Sequence, residues 1–272
     1  MNLSIRTARV EDIDFMVDLY IEAYGYTGPR DILREIFEIC LNVSPQGCLL
    51  ALLGDDVVGM GCVFIYGHVA WIGCMAVKPE YQCRGIGSTI LRNLLEIALS
   101  HGSRTIRLDS TSAGYNLYRK FGFIEEYYTI SYEISKYEPS VDTSKVQVLN
   151  YLPQEVIHKD TEIFGADRTK VLETYVNRGA KVLLYNNSYA LVYRHRVGPL
   201  IASNTEDALV LLSKAYELGA RILTIPSANT RAIQLIDKLQ ARQLYKCIRM
   251  RYGPPTNEKI DHIFAILNYA KG

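Results

Sequence analysis

M-A-V-K-P-E-Y-Q-C-R-G-I-G-S, running from Met75 to Ser88, is the stretch on which the reading of this chain turns. The apolar run that leads into it, Trp71 to Val77, has the length and composition of a buried strand. Lys78-Pro79-Glu80 ends that strand, because proline lacks the N–H that a central ladder requires. Gln82 to Gly87 then spells Q-x-x-G-x-G. Ile90, Leu91, Leu94, Leu95, Ile97 and Ala98 follow at helical spacing as far as His101-Gly102. The order is strand, glycine loop, helix. Small residues at Gly85 and Gly87 let backbone N–H groups close on an anion, and the helix N-terminus adds its partial positive charge. A phosphate-bearing ligand is the expectation.

Two common phosphate loops fit poorly. A P-loop requires G-x-x-x-x-G-K-[ST], and no lysine follows Gly87. A dinucleotide fingerprint finds its first two glycines in Gly85 and Gly87, with Asp109 further on after a second apolar strand. Its third glycine position is Ile90, however, and the loop does not begin in a tight turn straight off the strand.

The stretch V-x-P-E-Y-Q-x-R-G-I-G-S with its helix closely resembles the acyl-coenzyme A loop of the GNAT superfamily of N-acetyltransferases. That resemblance implies a strand that splays from its neighbour and binds pantetheine through backbone groups, here Met75, Ala76 and Val77. It further implies a pyrophosphate cradle built from Gln82, Cys83, Arg84, Gly85, Ile86, Gly87 and Ser88. Downstream, L-Y-R-K-F-G-F (Leu117 to Phe123) resembles the segment that closes most GNAT domains. In that family the tyrosine matching Tyr118 reprotonates the departing thiolate. A phenol of pKa about 10 can do this for a thiolate whose conjugate acid is near 8.5 if both are held close. Where the family often has asparagine six residues before that tyrosine, this chain has Ser112. No carboxylate falls between His68 and Val77, so the general base stays open among His68, Asp109 and a water relay.

Composition bounds the remainder. The 272 residues suffice for two domains, and 49% hydrophobic content supports full cores. A net charge of +1 without a basic stripe gives nucleic acid no footprint. The six cysteines, Cys40, Cys48, Cys62, Cys74, Cys83 and Cys247, form no C-x-x-C pair. They read as reduced core thiols of a cytoplasmic protein, with no metal. The N-terminus has no apolar signal core and no 18-residue apolar span occurs, so no membrane partner is expected.

In chain order, Ile5 to Arg9 reads as a strand, and Ile13, Met16, Val17, Tyr20 and Ala23 mark a helix. Asp31 to Leu41 is a second helix, and Gly47 to Leu53 and Val57 to Tyr66 form a hairpin around Gly54-Asp55-Asp56. This order resembles the GNAT opening, whose helix pair shapes the acceptor pocket; Tyr24, Tyr26 and Arg30 stand there. The polar residues around Pro139 mark a linker, 136–147, between a catalytic domain at 1–135 and a second domain at 148–272.

The second domain reads as a worn copy of the first. G-S-R-T-I-R-L (Gly102 to Leu108) returns as G-A-R-I-L-T-I (Gly219 to Ile225), a period of about 117 residues, which is domain-sized. Where the first copy has its glycine loop, the second has Ser203-Asn204-Thr205-Glu206-Asp207, whose carboxylates repel a pyrophosphate. The counterpart of Tyr118 is Ile236. F-G-A-D-R (Phe164 to Arg168), G-P-L-I-A (Gly198 to Ala202) and Arg249-Met250 resemble a tandem GNAT subgroup with its acceptor site between the halves. By that resemblance Asp167 and Arg168 bind the acceptor, an anion for an amine and a guanidinium for a carboxylate. An aspartate ahead of a helix is also a natural cap.

The expectation is therefore an α/β protein of two tandem GNAT-like domains. Each has a mixed, mostly antiparallel sheet with a splayed strand pair and flanking helices. The implied activity is acetyl transfer from acetyl-coenzyme A to a primary amine of a small molecule by direct attack. The alternatives are a non-catalytic acyl-coenzyme A sensor and a protein lysine or N-terminal acetyltransferase. Monomer and homodimer are both compatible with a duplicated domain.

Overall fold

The computed structural model describes residues 2–134 and 141–272, so part of the expected linker lies outside the described residues. The chain packs as two compact units. One comprises Met1–Leu108 with Tyr252–Pro254 and Lys271; the other comprises Asp109–Arg251 with Pro255–Ala270 and Gly272.

The first unit runs β1 (Leu3–Thr7), α1 (Ile13–Tyr24), α2 (Arg30–Val43), β2 (Cys48–Leu53), β3 (Asp56–Tyr66), β4 (Val69–Val77), α3 (Ile86–Ser100) and the start of β5 (Thr105–Ser110). Strands β1 to β4 pair antiparallel in chain order, and β5 adds parallel to β4. Helix α1 buries Ile13, Met16 and Val17, the stripe that its 3.6-residue spacing predicts. Just before it, Asp12 accepts from Arg9 N at 2.8 Å and from both ends of the Arg6 guanidinium at 2.7 and 2.8 Å. The Arg6 hydrogen bonds hold the Asp12 carboxyl below the usual carboxylate range.

Helix α3 buries Ile90, Leu91, Leu94, Leu95 and Ala98. It lies directly on β3 because Gly59 and Gly61 leave room for it. A Cβ at Gly59 would stand 2.8 Å from Ile90 Cδ1, and one at Gly61 would stand 2.6 Å from Met75 Sδ and 2.8 Å from Leu94 Cδ1. The sheet thereby fixes where the N-terminus of α3 points.

The second unit contains α4 (Ser112–Lys120), β6 (Ile124–Glu133), β7 (Gln147–Leu149), α5 (Gln154–Phe164), α6 (Thr169–Asn177), β8 (Lys181–Tyr185), β9 (Ser188–Tyr193), β10 (Arg196–Ile201), α7 (Thr205–Glu217), β11 (Ile222–Pro226), α8 (Thr230–Lys238), β12 (Arg242–Tyr252) and β13 (Ile263–Ala265). Its strand order is β12-β6-β11-β10-β9-β8-β7, with β13 added to β10. Only β10 and β11 pair parallel among the described pairs of this unit.

Strand β6 pairs with β12 from Ile124↔Arg251 to Glu133↔Arg242, and with β11 from Thr129↔Pro226 to Glu133↔Ile222. The division by packing thus falls between Leu108 and Asp109, upstream of the division that the sequence suggests at 136–147. Strand partners are set by ladder hydrogen bonds and buried faces, which need not respect chain order. The G-P-L-I-A motif also finds its reason here. Gly198 has φ +155°, and a Cβ on it would stand 2.1 Å from the carbonyl oxygen of Ile266, so only glycine lets these two backbones meet. The core of this unit gathers Ile134, Leu183, Leu211, Leu223, Ile225, Leu235 and Phe264.

Candidate active site

In the first unit, β4 changes character midway. Its parallel ladder with β5 runs from Val69↔Thr105 to Ile72↔Leu108 and stops there. On its other side the pairing with β3 steps from Gly73↔Cys62 to Ala76↔Met60, so β4 carries one extra residue. Cys74 lies in that bulge at φ +54°, a left-handed conformation that a residue with a Cβ adopts only at a cost of about 1–2 kcal/mol. The result is the splay expected of this strand. Gly73 to Val77 run on along β3 beyond the end of the described β5 ladder.

The strand passes into the loop through a short 3₁₀ turn, Pro79–Tyr81. The Gln82 side chain donates to Val77 O at 3.0 Å, tying the loop back to the strand end, and the Arg84 guanidinium lies 5.6 Å from the Tyr81 ring centroid. Cys83 at φ +59° and Gly85 at φ +83° bend the backbone twice, and α3 begins at Ile86. Its first intrahelical bond is Thr89 N to Gly85 O at 3.0 Å, and no side chain caps the helix. The N–H groups of Ile86, Gly87 and Ser88 therefore precede the helical ladder, as at any uncapped start. An anion is their natural partner.

The corresponding helix of the second copy, α7, is closed. The Asn204 side chain accepts from Asp207 N at 2.8 Å, and the Asp207 carboxylate accepts from Asn186 at 2.8 Å and from the Ser188 hydroxyl at 2.9 Å. A terminus whose Asp207 N–H is already capped, with Glu206 and Asp207 in its first turn, offers an unfavourable field for phosphate.

An aromatic group from α1 and the loop after it stands by the splayed end of β4. The Tyr24 hydroxyl donates to Met75 O, and the Tyr20 ring packs 4.6 Å from Tyr24, 6.2 Å from Tyr26 and 6.0 Å from Phe37. Arg30 is engaged at the surface with Asp18 at 2.6 Å. The contact of Tyr24 with Met75 joins residues 51 apart in sequence, and helical spacing alone gives no sign of it.

In the second unit, α4 is capped by Thr111, whose hydroxyl accepts from Gly114 N at 3.3 Å. Tyr118 on this helix is buried, its ring 5.8 Å from Phe123 in an edge-on arrangement. Gly114 makes room for it, since a Cβ there would lie 2.8 Å from Tyr118 Cε2. Burial, with the nearby Cys247 thiol, pushes the phenol above its ordinary pKa and keeps its proton on. The equivalent helix of the second copy, α8, is capped by Asn229 in the same way and carries buried Ile236 in place of the tyrosine.

The two side chains considered for the base have surroundings of a different kind. The Asp109 side chain is wholly buried, paired with Arg249 at 2.9 and 3.1 Å, and accepts from the Thr129 hydroxyl at 2.7 Å. A carboxylate so occupied is structural. His68 is an exposed turn residue at the start of β4, whereas the loop leaves the strand's other end, about 30 Å away at 3.3 Å per residue.

Asp167 and Arg168, expected to bind an acceptor together, are separated by burial. Arg168 is 2% exposed, and its guanidinium grips Asp160 through two bonds of 2.8 Å and donates to Gly272 O at 2.7 Å. It also stacks on Phe164 at 3.9 Å. The expected ligand role of Arg168 is thereby corrected, because its donors are spent inside the protein. Asp167 faces solvent and accepts from Thr169 N at 2.9 Å, holding the first turn of α6. Gly165, at φ +82°, ends α5. The F-G-A-D-R motif is a helix-to-helix joint.

Comparison with known proteins agrees with this geometry. Residues 13–123 match the model of the acetyltransferase (GNAT) family, and residues 156–265 match that of an acetyltransferase (GNAT) domain. A crystal structure of a provisionally named acetyltransferase from Pyrococcus horikoshii is 46% identical, covers 99% of this chain and 96% of its own, and superposes with a TM-score of 0.96. The uncharacterised N-acetyltransferase YitH of Bacillus subtilis is 24% identical over 241 residues, 81% of this chain and 83% of its own. Two further proteins, with different acceptors in their names, are similar to less than half of the chain. A provisionally named ribosomal protein bS18-alanine N-acetyltransferase of Bacillus subtilis is 30% identical over 123 residues, 44% of this chain and 79% of its own. A thialysine N-epsilon-acetyltransferase of Bos taurus is 30% identical over 141 residues, 43% and 82%.

The chain belongs to the GNAT acetyltransferases, with two such domains in tandem. It is an acyltransferase, and the donor used by this family is acetyl-coenzyme A. Among the described residues no helix is long and apolar enough to cross a membrane.

Proposed function

We propose that this chain transfers an acetyl group from acetyl-coenzyme A to the primary amine of a small molecule by direct attack. The observation that carries this reading is the continuous segment from the bulged end of β4 to the uncapped N-terminus of α3. In it, Met75, Ala76 and Val77 offer backbone groups to the pantetheine arm, and a donor aimed at the thioester oxygen lowers the barrier as charge develops there. Gln82 to Ser88 hold the pyrophosphate. Tyr118 supplies a proton to the leaving sulfur. The Tyr20, Tyr24 and Tyr26 group forms an aromatic wall beside Met75 for the amine, which suits a compact acceptor. The thialysine enzyme similar to part of the chain has an acceptor of this class in its name. The bS18-alanine enzyme favours a protein N-terminus as the second reading.

The test is thiol release from acetyl-coenzyme A against a panel of amines, amino acids and N-terminal peptides. A small amine is expected to turn over, and Tyr118→Phe is expected to lower kcat by about 10²–10⁴ while coenzyme A affinity is kept. Turnover with peptides alone would move the acceptor to proteins. Tight coenzyme A binding without turnover of any acceptor would leave a sensor.

The pH profile follows from the buried phenol. Because its pKa lies above the ordinary value of about 10, Tyr118 stays protonated through the alkaline range. Activity should climb with pH as the acceptor amine loses its proton and then level off, with no falling limb below about pH 10. A decline between pH 8 and 9 in kcat would show that another group is the acid.

A further inference from the structure

Four of the six cysteines converge inside the first unit from four different elements: Cys40 on α2, Cys48 on β2, Cys62 on β3 and Cys74 on β4. Cys48 and Cys62 face each other across the β2–β3 ladder. The sulfurs of Cys40, Cys62 and Cys74 all lie within 4.8 Å of one another, with Cys40 and Cys74 at 3.9 Å. Tetrahedral thiolates 2.3 Å from a zinc ion stand about 3.8 Å apart. The three side chains are therefore already near the spacing that one ion demands.

Cysteine is a common small apolar core residue, and a pair meeting in a core needs no function. Three sulfurs meeting from separate elements beside a buried cation is a different arrangement. Lys271, 1% exposed, is held by the bond from the Tyr66 hydroxyl to its carbonyl oxygen at 3.0 Å. Its ammonium stands beside Cys40 and 5.1 Å from the Phe64 ring centroid.

We propose that Cys40, Cys62 and Cys74 form a thiolate site for one divalent, thiolate-preferring cation of the zinc class. Sulfur ligands exclude the hard, oxygen-seeking calcium and magnesium. Charge selects the dication. Binding removes a proton from each thiol, and three thiolates around a dication keep one negative charge, which the Lys271 ammonium cancels in the low-dielectric interior. Cys74 is the one half-buried residue of the three, and Cys40 and Cys62 are fully buried. The fourth position falls to Cys48 or to water.

The site would fasten the bulge of β4 to α2 and β3. Cys74 immediately precedes Met75, so the ion would hold the splayed segment in shape. Nothing in this argument depends on the acetyl-transfer reading, and its test does not use activity.

The experiment is reconstitution of the reduced, full-length protein with zinc without oxygen, followed by desalting and metal analysis, and in parallel with cobalt as a spectroscopic probe. The expected result is about one zinc per chain and an intense sulfur-to-cobalt charge-transfer band. The Tm should rise with zinc concentration, because the ion binds the folded chain. Magnesium should do none of these. Cys62→Ala and Cys74→Ser should each lose the cobalt band, and Cys247→Ala should keep it. A band that survives in both site variants, or a reduced wild-type chain that retains no zinc, overturns the proposal. So does a wild type whose Tm is indifferent to zinc. A Cys40–Cys74 disulfide in place of metal under reducing conditions also overturns it.

Discussion

Replacing Arg168 with methionine is expected to destabilise the protein by about 3–5 kcal/mol, because it strands the Asp160 carboxylate in the interior. Asp160 and Arg168 are each 2% exposed at the side chain and meet through two bonds of 2.8 Å. The Tyr189 hydroxyl donates to the same carboxylate, and the third direction of the guanidinium goes to Gly272 O at 2.7 Å. Arg168→Lys should recover little, since an ammonium cannot fork across both carboxylate oxygens or stack on Phe164. Adding Asp160→Asn to Arg168→Met should restore a large part of the loss by removing the orphaned charge. Urea unfolding of the four proteins measures each step. The outcome also separates two roles for Arg168. A residue that binds acceptor would raise KM and leave the unfolding midpoint in place; a residue that closes a buried ion pair lowers the midpoint in every buffer.

Gly85→Asp should weaken coenzyme A binding at least about 100-fold, close to 3 kcal/mol, while leaving the fold standing. Gly85 has φ +83° and an added Cβ would meet nothing within 4 Å. Aspartate is among the residues that accept a left-handed backbone most readily, so the strain is small. Its carboxylate, however, would stand at the start of α3, where the open N–H groups of Ile86 to Ser88 await an anion. It would compete for those donors and repel the pyrophosphate. The variant imposes on the first copy what Asn204 and Asp207 impose on the second, where side chains already fill the start of α7. Calorimetric titration with coenzyme A and a thermal melt together decide the matter. Affinity within about threefold of wild type would show that the pyrophosphate is held elsewhere.

What was legible in the sequence is what is local. The strand, loop and helix around Gln82 to Ser88 are each announced by a run of neighbouring residues, and the structure has them as expected. The duplication was legible for the same reason. Capped helices α4 and α8, and strands β5 and β11, recur at nearly the same offset, and the loss of the glycine loop in the second copy is visible residue by residue. The family followed from those motifs, and the comparisons show it.

Tertiary structure decided everything that depends on which distant segments meet. Residues 124–133 fall by sequence inside the first domain, yet as β6 they pair with β11 and β12, a choice made by ladder hydrogen bonds across some ninety residues or more of chain. Asp109 and Arg168 read as free polar groups near the ligand segments. Each proved to be half of a buried ion pair, because the carboxylate or guanidinium that completes it is invisible from its own neighbours. The cysteines, without a C-x-x-C between them, read as scattered core thiols until four elements brought them together. Periodicity and turn chemistry are properties of a few consecutive residues, so the sequence alone determines them. Burial, pairing and charge compensation are properties of neighbours in space, and only the folded chain chooses those.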